Sequence, residues 1–186
     1  MLDECFKEDL NENASYDEDV GSFWRSVDLF SSLYAEKDFG DDELLKFMAF
    51  VRKNAFKHKI FPHLPEIELK ITTRDSWIFD GLALGDETII GRLGCYCPQY
   101  IIVKDGRSRQ NMKFKHGAGN IIISNYGKET SYHIACLMLH EMLHQFIAET
   151  YTTMWMKQVK YQITNKLNDE EWQVYCHKDK FKKLAD

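Results

Sequence analysis

The sequence predicts an α+β fold in which a small antiparallel or mixed sheet packs on helices. Two helical segments come first, then three or four short segments with strand character, and then further helices. The chain has 186 residues, of which 44% are hydrophobic, so it can form one folded domain with at most a short appendage. No apolar stretch approaches the roughly 20 residues that a membrane helix needs, so we expect no membrane partner.

The first third of the chain favours helices. Residues 1–20 are expected to form a loose or weakly helical arm. Large apolar residues then recur at helical spacing over 22–36, which predicts a helix. Asp41 or Asp42 can cap a second helix, which should end before Pro62.

The middle of the chain favours strands. Residues 66–73 alternate between polar and apolar side chains, which is the period of a strand with one buried face. The segments 88–93 and 100–103 are expected to be strands separated by a turn that contains Gly, Cys and Pro. Residues 104–119 are polar and carry three glycines, so we expect a loop or a hairpin connection there. The apolar segment 120–125 predicts a further short strand.

Helices return in the last third of the chain. Residues 130–149 are predicted to form a long helix with many apolar side chains. The segment 151–163 is compatible with a helix or a strand, and we favour the helix. Residues 169–184 are predicted to be helical, with Asp169 early in the first turn, where an acidic side chain is stabilising.

Charge is unevenly distributed along the chain. Residues 1–43 contain 14 acidic and 3 basic side chains, a net charge of −11, whereas residues 44–186 have a net charge of +6. We therefore divide the chain into an acidic N-terminal arm with a helix, residues 1–40, and a domain over residues 41–186. The acidic segment either covers a basic substrate face, or repels nucleic acid until it moves, or is simply a solvated surface, and charge runs are most often the last of these.

The five cysteines indicate reduced thiols. Their number is odd, and the acidic N-terminus lacks the apolar segment of a secretory signal, so we expect a cytoplasmic (intracellular) location. Cys95 and Cys97 form a single CxC pattern, and a zinc knuckle would need a second pair at a suitable distance. Cys136 falls in an apolar helical segment and is expected to be a small core residue.

The most informative motif lies in the long helix. The segment LMLHEMLHQFI contains His140, Glu141 and His144 in the order HExxH. Residues four apart on a helix share one face, so the two imidazoles can bind one metal ion, while the carboxylate is directed toward a metal-bound water. A chance HExxH on an amphipathic helix is the competing interpretation. Apolar neighbours favour the metal site, because buried polar groups need partners.

A catalytic zinc usually has three protein ligands and one water, so a third ligand is needed. The continuation HxxGxxH is not present. The candidates are Glu170 and Glu171 at the start of a predicted helix, His116 in the polar segment, and His177, the last being the only histidine downstream of the motif. His133 lies two helical turns before His140, on the order of 10 Å away, which is too far to share the ion.

The segment LHEMLHQF, followed about thirty residues later by HKDKFKKLA, resembles the SprT-like zinc metallopeptidases, which include the Spartan proteases. The residues Gly91–Gly94 and the segment NIIIS are similar to the turn and the apolar strand that precede the active-site helix in that family. The resemblance covers about residues 40–186. Lys178 stands where the family often has glycine.

The resemblance implies a zincin-like fold and a zinc metalloendopeptidase that hydrolyses a protein or peptide substrate. It implies that Zn²⁺ is bound by His140, His144 and His177, and that Glu141 is the general base. Three tyrosines could stabilise an oxyanion, namely Tyr126, Tyr132 and Tyr175.

Two alternatives to this function remain at the level of sequence. The protein could be a catalytically silent, zinc-stabilised binding or structural protein. It could also be a DNA-associated protease, because Lys178, Lys180, Lys182 and Lys183 form a small basic patch beside the expected site. Phosphate binding needs several such contacts at once, and we favour a solvated face over DNA association.

Overall fold

A computed structural model describes residues 16–34, 40–61, 63–72, 94–105, 109–124 and 130–168, together with residues 171, 175, 177 and 183. Over these residues the chain forms four helices and a three-stranded sheet, so the predicted mixture of helix and sheet is confirmed. The elements in chain order are α1 (Tyr16–Tyr34), α2 (Asp41–Lys57), β1 (Glu68–Thr72), β2 (Gly94–Asp105), β3 (Arg109–Ser124), α3 (Ser131–Thr150) and α4 (Thr152–Asn165).

The first two helices follow the predicted pattern, with corrections at their N-termini. Helix α1 begins at Tyr16 rather than at Ser22. Helix α2 is capped by the backbone of Gly40, so the prediction of Asp41 or Asp42 as the cap was wrong. Both aspartates lie in the first turn instead, where they interact favourably with the helix dipole.

The sheet is mixed and has the strand order β1-β3-β2. Strand β1 runs parallel to β3, with Leu69 opposite Ile121, and β2 runs antiparallel to β3, with Gly94 opposite Ile123. Three consecutive isoleucines of β3 are buried because the strand lies between two others and has both faces covered. The predicted strand 88–93 lies outside the described residues.

The long β2–β3 pairing bears on two sequence predictions. Residues 94–98 belong to β2 rather than to a turn. Residues 104–119 confirm the hairpin alternative, but the connection itself is short, and residues 109–119 belong to β3. The proline is accommodated by a shift in register between Pro98 and Tyr100, since proline cannot donate a ladder hydrogen bond. Gly117 and Gly119 adopt φ values of 64° and 152°, which allow β3 to continue through a conformation that other residues rarely adopt.

Helix α3 lies in one hydrophobic core between the sheet and the first two helices. Met138 and Met142 of α3, Phe47 of α2 and Ile121 of β3 are fully buried in this core. Phe23 of α1 belongs to the same cluster, so this helix of the acidic arm packs against the residues that follow it. Each fully buried side chain of this size contributes about 1.5–3 kcal/mol to stability. The core thereby fixes the orientation of α3.

Two helix predictions concern the part of the chain that follows α3. Helix α4 confirms the helical alternative for residues 151–163. The predicted helix over 169–184 lies largely outside the described residues, although Glu171, Tyr175 and Lys183 are helical. None of the helices that the structure describes is long and apolar enough to cross a membrane.

Candidate metal centre

Helix α3 places the two histidines of the HExxH motif side by side. Thr130 caps this helix by accepting a hydrogen bond from the backbone N–H of His133. This helix contacts β2 and β3 of the sheet as well as α1, α2 and α4, and its residues 141–148 are all buried. Because His140 and His144 are four residues apart, their rings lie on one face with centroids 5.0 Å apart.

The third histidine reaches the same point from a distant part of the chain. Nε2 of His177 lies 3.0 Å from Nε2 of His144 and 3.1 Å from Nε2 of His140. The centroid of the His177 ring is 4.9 Å from that of His144 and 5.1 Å from that of His140, so the three imidazoles form a nearly equilateral triangle. The ligand atoms of all three residues lie within 4.8 Å of one another.

This arrangement fits a metal ion. A ring nitrogen of a neutral imidazole either donates or accepts a hydrogen bond. Nε2 of His177 lies near the Nε2 atoms of both His144 and His140. A single N–H on this nitrogen can donate a hydrogen bond to only one of them. A cation between the rings would interact with all three lone pairs. Nitrogens bound to one tetrahedral ion at about 2.0–2.1 Å lie about 3.3 Å apart, which is close to the spacing found here. The three histidines are thus close enough to hold a metal ion.

Burial keeps the His140 ring in the neutral form that a metal ligand requires. Desolvation, together with the nearby His177 imidazole, lowers the pKa of His140 to about 4. A metal ligand must offer a lone pair, and at pH 7 the His140 ring is neutral and does so.

The carboxylate of Glu141 is held between α3 and the start of β2. The residue is only 5% exposed, so its carboxylate is largely removed from solvent. Gly94 is the first residue of β2, and a Cβ atom at that position would lie 3.1 Å from Oε1 of Glu141 and 3.1 Å from Cδ1 of Ile123. The absence of a side chain at Gly94 therefore leaves space for the carboxylate.

Aromatic side chains form a wall beside the histidines. The Trp155 ring of α4 lies 6.4 Å from the His144 ring, and its Nε1 donates a hydrogen bond to the hydroxyl of Tyr100 at 3.0 Å. Burial raises the pKa of Tyr100 to about 12, so its hydroxyl stays protonated at neutral pH. The Trp155 ring therefore lies beside His144, and its hydrogen bond to Tyr100 connects α4 to β2.

A buried polar network connects α3 to α2 and to the segment before β1. Nη1 of Arg52 donates to Oε1 of Gln145 at 3.0 Å, and Nη2 donates to the carbonyl of Pro65 at 2.7 Å. Nε2 of Gln145 donates to the same carbonyl at 2.8 Å. Gln145 directly follows His144, so the network restrains the helix at the histidine cluster.

The alternative third ligands have other partners. Nδ1 of His116 lies 2.7 Å from Oε2 of Glu149, whose other oxygen accepts a hydrogen bond from the backbone of Gly117. Glu171 forms a reciprocal capping pair with Asn168, in which each backbone N–H donates to the other side chain. Glu170 lies outside the described residues.

The structure describes two of the three candidate oxyanion tyrosines and one of the four lysines of the basic patch. Tyr132 is exposed, and its ring lies 5.0 Å from Trp24 of α1. Tyr175 stacks on Tyr161 of α4 at 4.7 Å, which anchors the segment that carries His177. Tyr126, Lys178, Lys180 and Lys182 lie outside the described residues, and Lys183 is exposed.

No match is found for this chain. The comparisons covered protein-family models, curated proteins and solved structures. The positions of the side chains, and the chemistry they permit, are therefore what supports a function for this chain.

Three features of the site were missed at the level of sequence. The contact between Gly94 and Glu141 and the stacking of Tyr161 on Tyr175 depend on packing that no local pattern reports. Gln145 did carry a signal, because a polar side chain within a long apolar helical segment needs a buried partner. The partner, Arg52, is 93 residues away in the chain.

Proposed function

We propose that the chain is a zinc-dependent metallopeptidase with a zincin-like fold, in which Glu141 is the general base for hydrolysis of a peptide bond. The proposal depends on one observation: Nε2 of His177 lies 3.0 Å from Nε2 of His144 and 3.1 Å from Nε2 of His140. A buried carboxylate on the same helix supplies the base. A small mixed sheet beside the HExxH helix agrees with a zincin-like arrangement.

Zinc is the metal that this ligand set favours. Imidazole nitrogen is an intermediate ligand that suits zinc, whereas magnesium and calcium take oxygen ligands. Three protein ligands leave a fourth tetrahedral position for water or substrate, which is the usual composition of a catalytic zinc site rather than a structural one.

The chain's own groups then have defined roles. A bound zinc ion would supply Lewis acidity, lowering the pKa of a water molecule from ~15.7 to about 7. The Glu141 carboxylate accepts a proton from the attacking water and transfers it to the leaving amine. Its position against Gly94 limits the directions that the carboxylate can take. The reaction needs no covalent intermediate with the protein.

Metal content and proteolysis together test this proposal. Wild-type protein should contain about one zinc per chain, and His177→Ala should lose most of it. His133→Ala is the matched control, since this exposed histidine is on the same helix but outside the cluster. If His177→Ala and wild type hold zinc equally well, the ligand assignment is wrong.

A second variant separates catalysis from stabilisation by the metal. Glu141→Gln preserves the size of the side chain and leaves the three histidines in place, so it should keep zinc but lose cleavage of an unfolded protein substrate. A zinc-loaded wild type that cleaves no unfolded substrate would favour a binding or structural protein. Cleavage that persists in Glu141→Gln would exclude the proposed general base.

A further inference from the structure

Two cysteine sulfurs approach each other on the face of the sheet opposite the metal centre. Side chains alternate between the two faces of a strand. Gly94 and Tyr96 of β2 face α3 and the core, so Cys95 and Cys97 face the other way. These two cysteines form a separate small cluster with Ile122 of β3, which stands directly opposite Cys95.

The separation of the two sulfurs is short for residues on a strand. Residues two apart on a strand have Cα atoms about 6.6–6.8 Å apart. The Sγ atoms of Cys95 and Cys97 are nevertheless only 3.5 Å apart, so the two side chains lean toward each other. The Cys97 thiol donates to the Cys95 sulfur, and the Cys95 thiol donates to the carbonyl of Tyr96. Both thiols are reduced.

The distances favour a bridging ligand over a disulfide. A disulfide requires sulfurs at about 2.05 Å and Cα atoms most often 5.5–6 Å apart, with about 6.8 Å as the upper limit. Formation of that bond would force the two sulfurs together by about 1.5 Å and shorten the strand. Two thiolates on one tetrahedral ion, at about 2.3 Å each, lie about 3.8 Å apart. Cys95 and Cys97 reach that spacing with a small side-chain rotation.

We propose that Cys95 and Cys97 form a two-sulfur binding site for a thiophilic ligand, either a soft divalent metal ion or a trivalent arsenic compound. Cys95 is partly exposed and provides access, whereas Cys97 is only 4% exposed and provides a rigid second ligand. Oxygen and imidazole ligands favour harder ions, so this site differs in selectivity from the three histidines.

The binding steps are balanced without an oxidant. A divalent ion forms two metal–sulfur bonds, and the two thiol protons pass to solvent. An organic arsenoxide forms two arsenic–sulfur bonds, and its oxygen leaves with both thiol protons as one water molecule. Arsenic remains trivalent, and neither sulfur is oxidised.

Phenylarsine oxide tests the site on the zinc-loaded full chain. Wild-type protein should retain one arsenical per chain after a chase with excess monothiol, because arsenic held by two protein sulfurs in one ring resists exchange with single thiols. Intact-protein mass spectrometry measures the retained arsenical. Cys95→Ser should retain at least tenfold less, and Cys97→Ser should behave in the same way. Cys136→Ser is the matched control, because this half-buried cysteine is on α3 and outside the pair.

Cadmium provides an independent measurement. Cd²⁺ bound to thiolates absorbs in the ultraviolet, whereas Cd²⁺ bound to imidazole gives no thiolate band, so the histidine cluster does not contribute. The band should appear in wild type and be lost in Cys95→Ser, a partly exposed position where the substitution is well tolerated. An arsenical or a cadmium band that persists in this variant would overturn the proposal. Zinc held by His140, His144 and His177, and cleavage of an unfolded substrate, are expected to be the same in all variants, so this result is independent of the proposed peptidase activity.

Discussion

Replacement of Arg52 by methionine should destabilise the protein by about 1–2 kcal/mol while leaving the histidine cluster chemically intact. Methionine keeps the apolar stem of the side chain but has no hydrogen-bond donor. The buried guanidinium donates to Oε1 of Gln145 at 3.0 Å and to the carbonyl of Pro65 at 2.7 Å. Both hydrogen bonds are lost in the variant.

The magnitude follows from what each acceptor retains. Pro65 keeps a second donor, Nε2 of Gln145 at 2.8 Å, so the loss at this carbonyl is small. Gln145 is 0% exposed, and its Oε1 loses the guanidinium donor, which costs about 1–3 kcal/mol for a buried acceptor. The relief of guanidinium burial opposes this loss, and the same burial lowers the pKa of Arg52. The net effect should be about 1–2 kcal/mol, within the range for a buried acceptor that loses its donor.

The ion pair of Arg52 with Glu66 should contribute little. Its atoms, Nε and Oε2, are 3.5 Å apart, but the Glu66 side chain is 83% exposed. An exposed partner is screened by solvent, so Glu66→Gln should cost less than about 0.5 kcal/mol. This variant is therefore the control that separates the buried hydrogen bonds from the surface charge.

Urea unfolding in the presence of a chelator measures these effects without a contribution from metal release. The assay compares Arg52→Met, Gln145→Met and the double variant. The double variant removes both partners, so a double-mutant cycle should give a coupling energy of about 1–2 kcal/mol. A coupling energy close to zero, or a single-variant loss below about 0.5 kcal/mol, would refute the view that this network stabilises α3.

Three further predictions concern the metal centre. Gly94→Ala should lower kcat about threefold to tenfold at unchanged zinc content, because the new Cβ would lie 3.1 Å from Oε1 of Glu141 and displace the carboxylate by a few tenths of an ångström. An unchanged kcat would show that this contact does not position the base. Tyr161→Ala should weaken zinc binding about threefold to tenfold, because it removes the ring that stacks on Tyr175 beside His177, and Tyr161→Phe should restore the affinity. Chelation should lower the Tm of the wild-type protein by several degrees, and added zinc should restore it, since an ion that binds only the folded chain stabilises it.

The parts of the fold set by local periodicity were predictable from the sequence. Helix α3 was predicted over 130–149 and is found at Ser131–Thr150, because its apolar residues and its Thr130 cap are local signals. The HExxH spacing likewise predicts two imidazoles on one helical face. These signals depend on residues within one or two helical turns of each other.

The parts set by tertiary pairing were not predictable. Residues 104–119 were predicted to form a loop or a hairpin connection. The hairpin is found, but its length was not predicted, because it depends on the pairing of β2 with β3 from Cys97 to Asp105. The anchoring of this hairpin to α3 through Gly117 and Glu149 joins residues 32 positions apart. Local patterns do not encode such contacts, so the polar residues and glycines did not distinguish a long hairpin from a loop.

The burial of α3 also affects the order in which the chain can fold during synthesis. A helix with so few charged residues would aggregate readily if it left the ribosome before the surfaces that cover it. The three described strands, α1 and α2 precede it in the chain, and of the described elements that contact it only α4 follows, so most of the covering surface has already emerged. We therefore expect α3 to dock soon after it is made, and a circular permutant that places residues 131–150 first should form inclusion bodies more readily than the natural order.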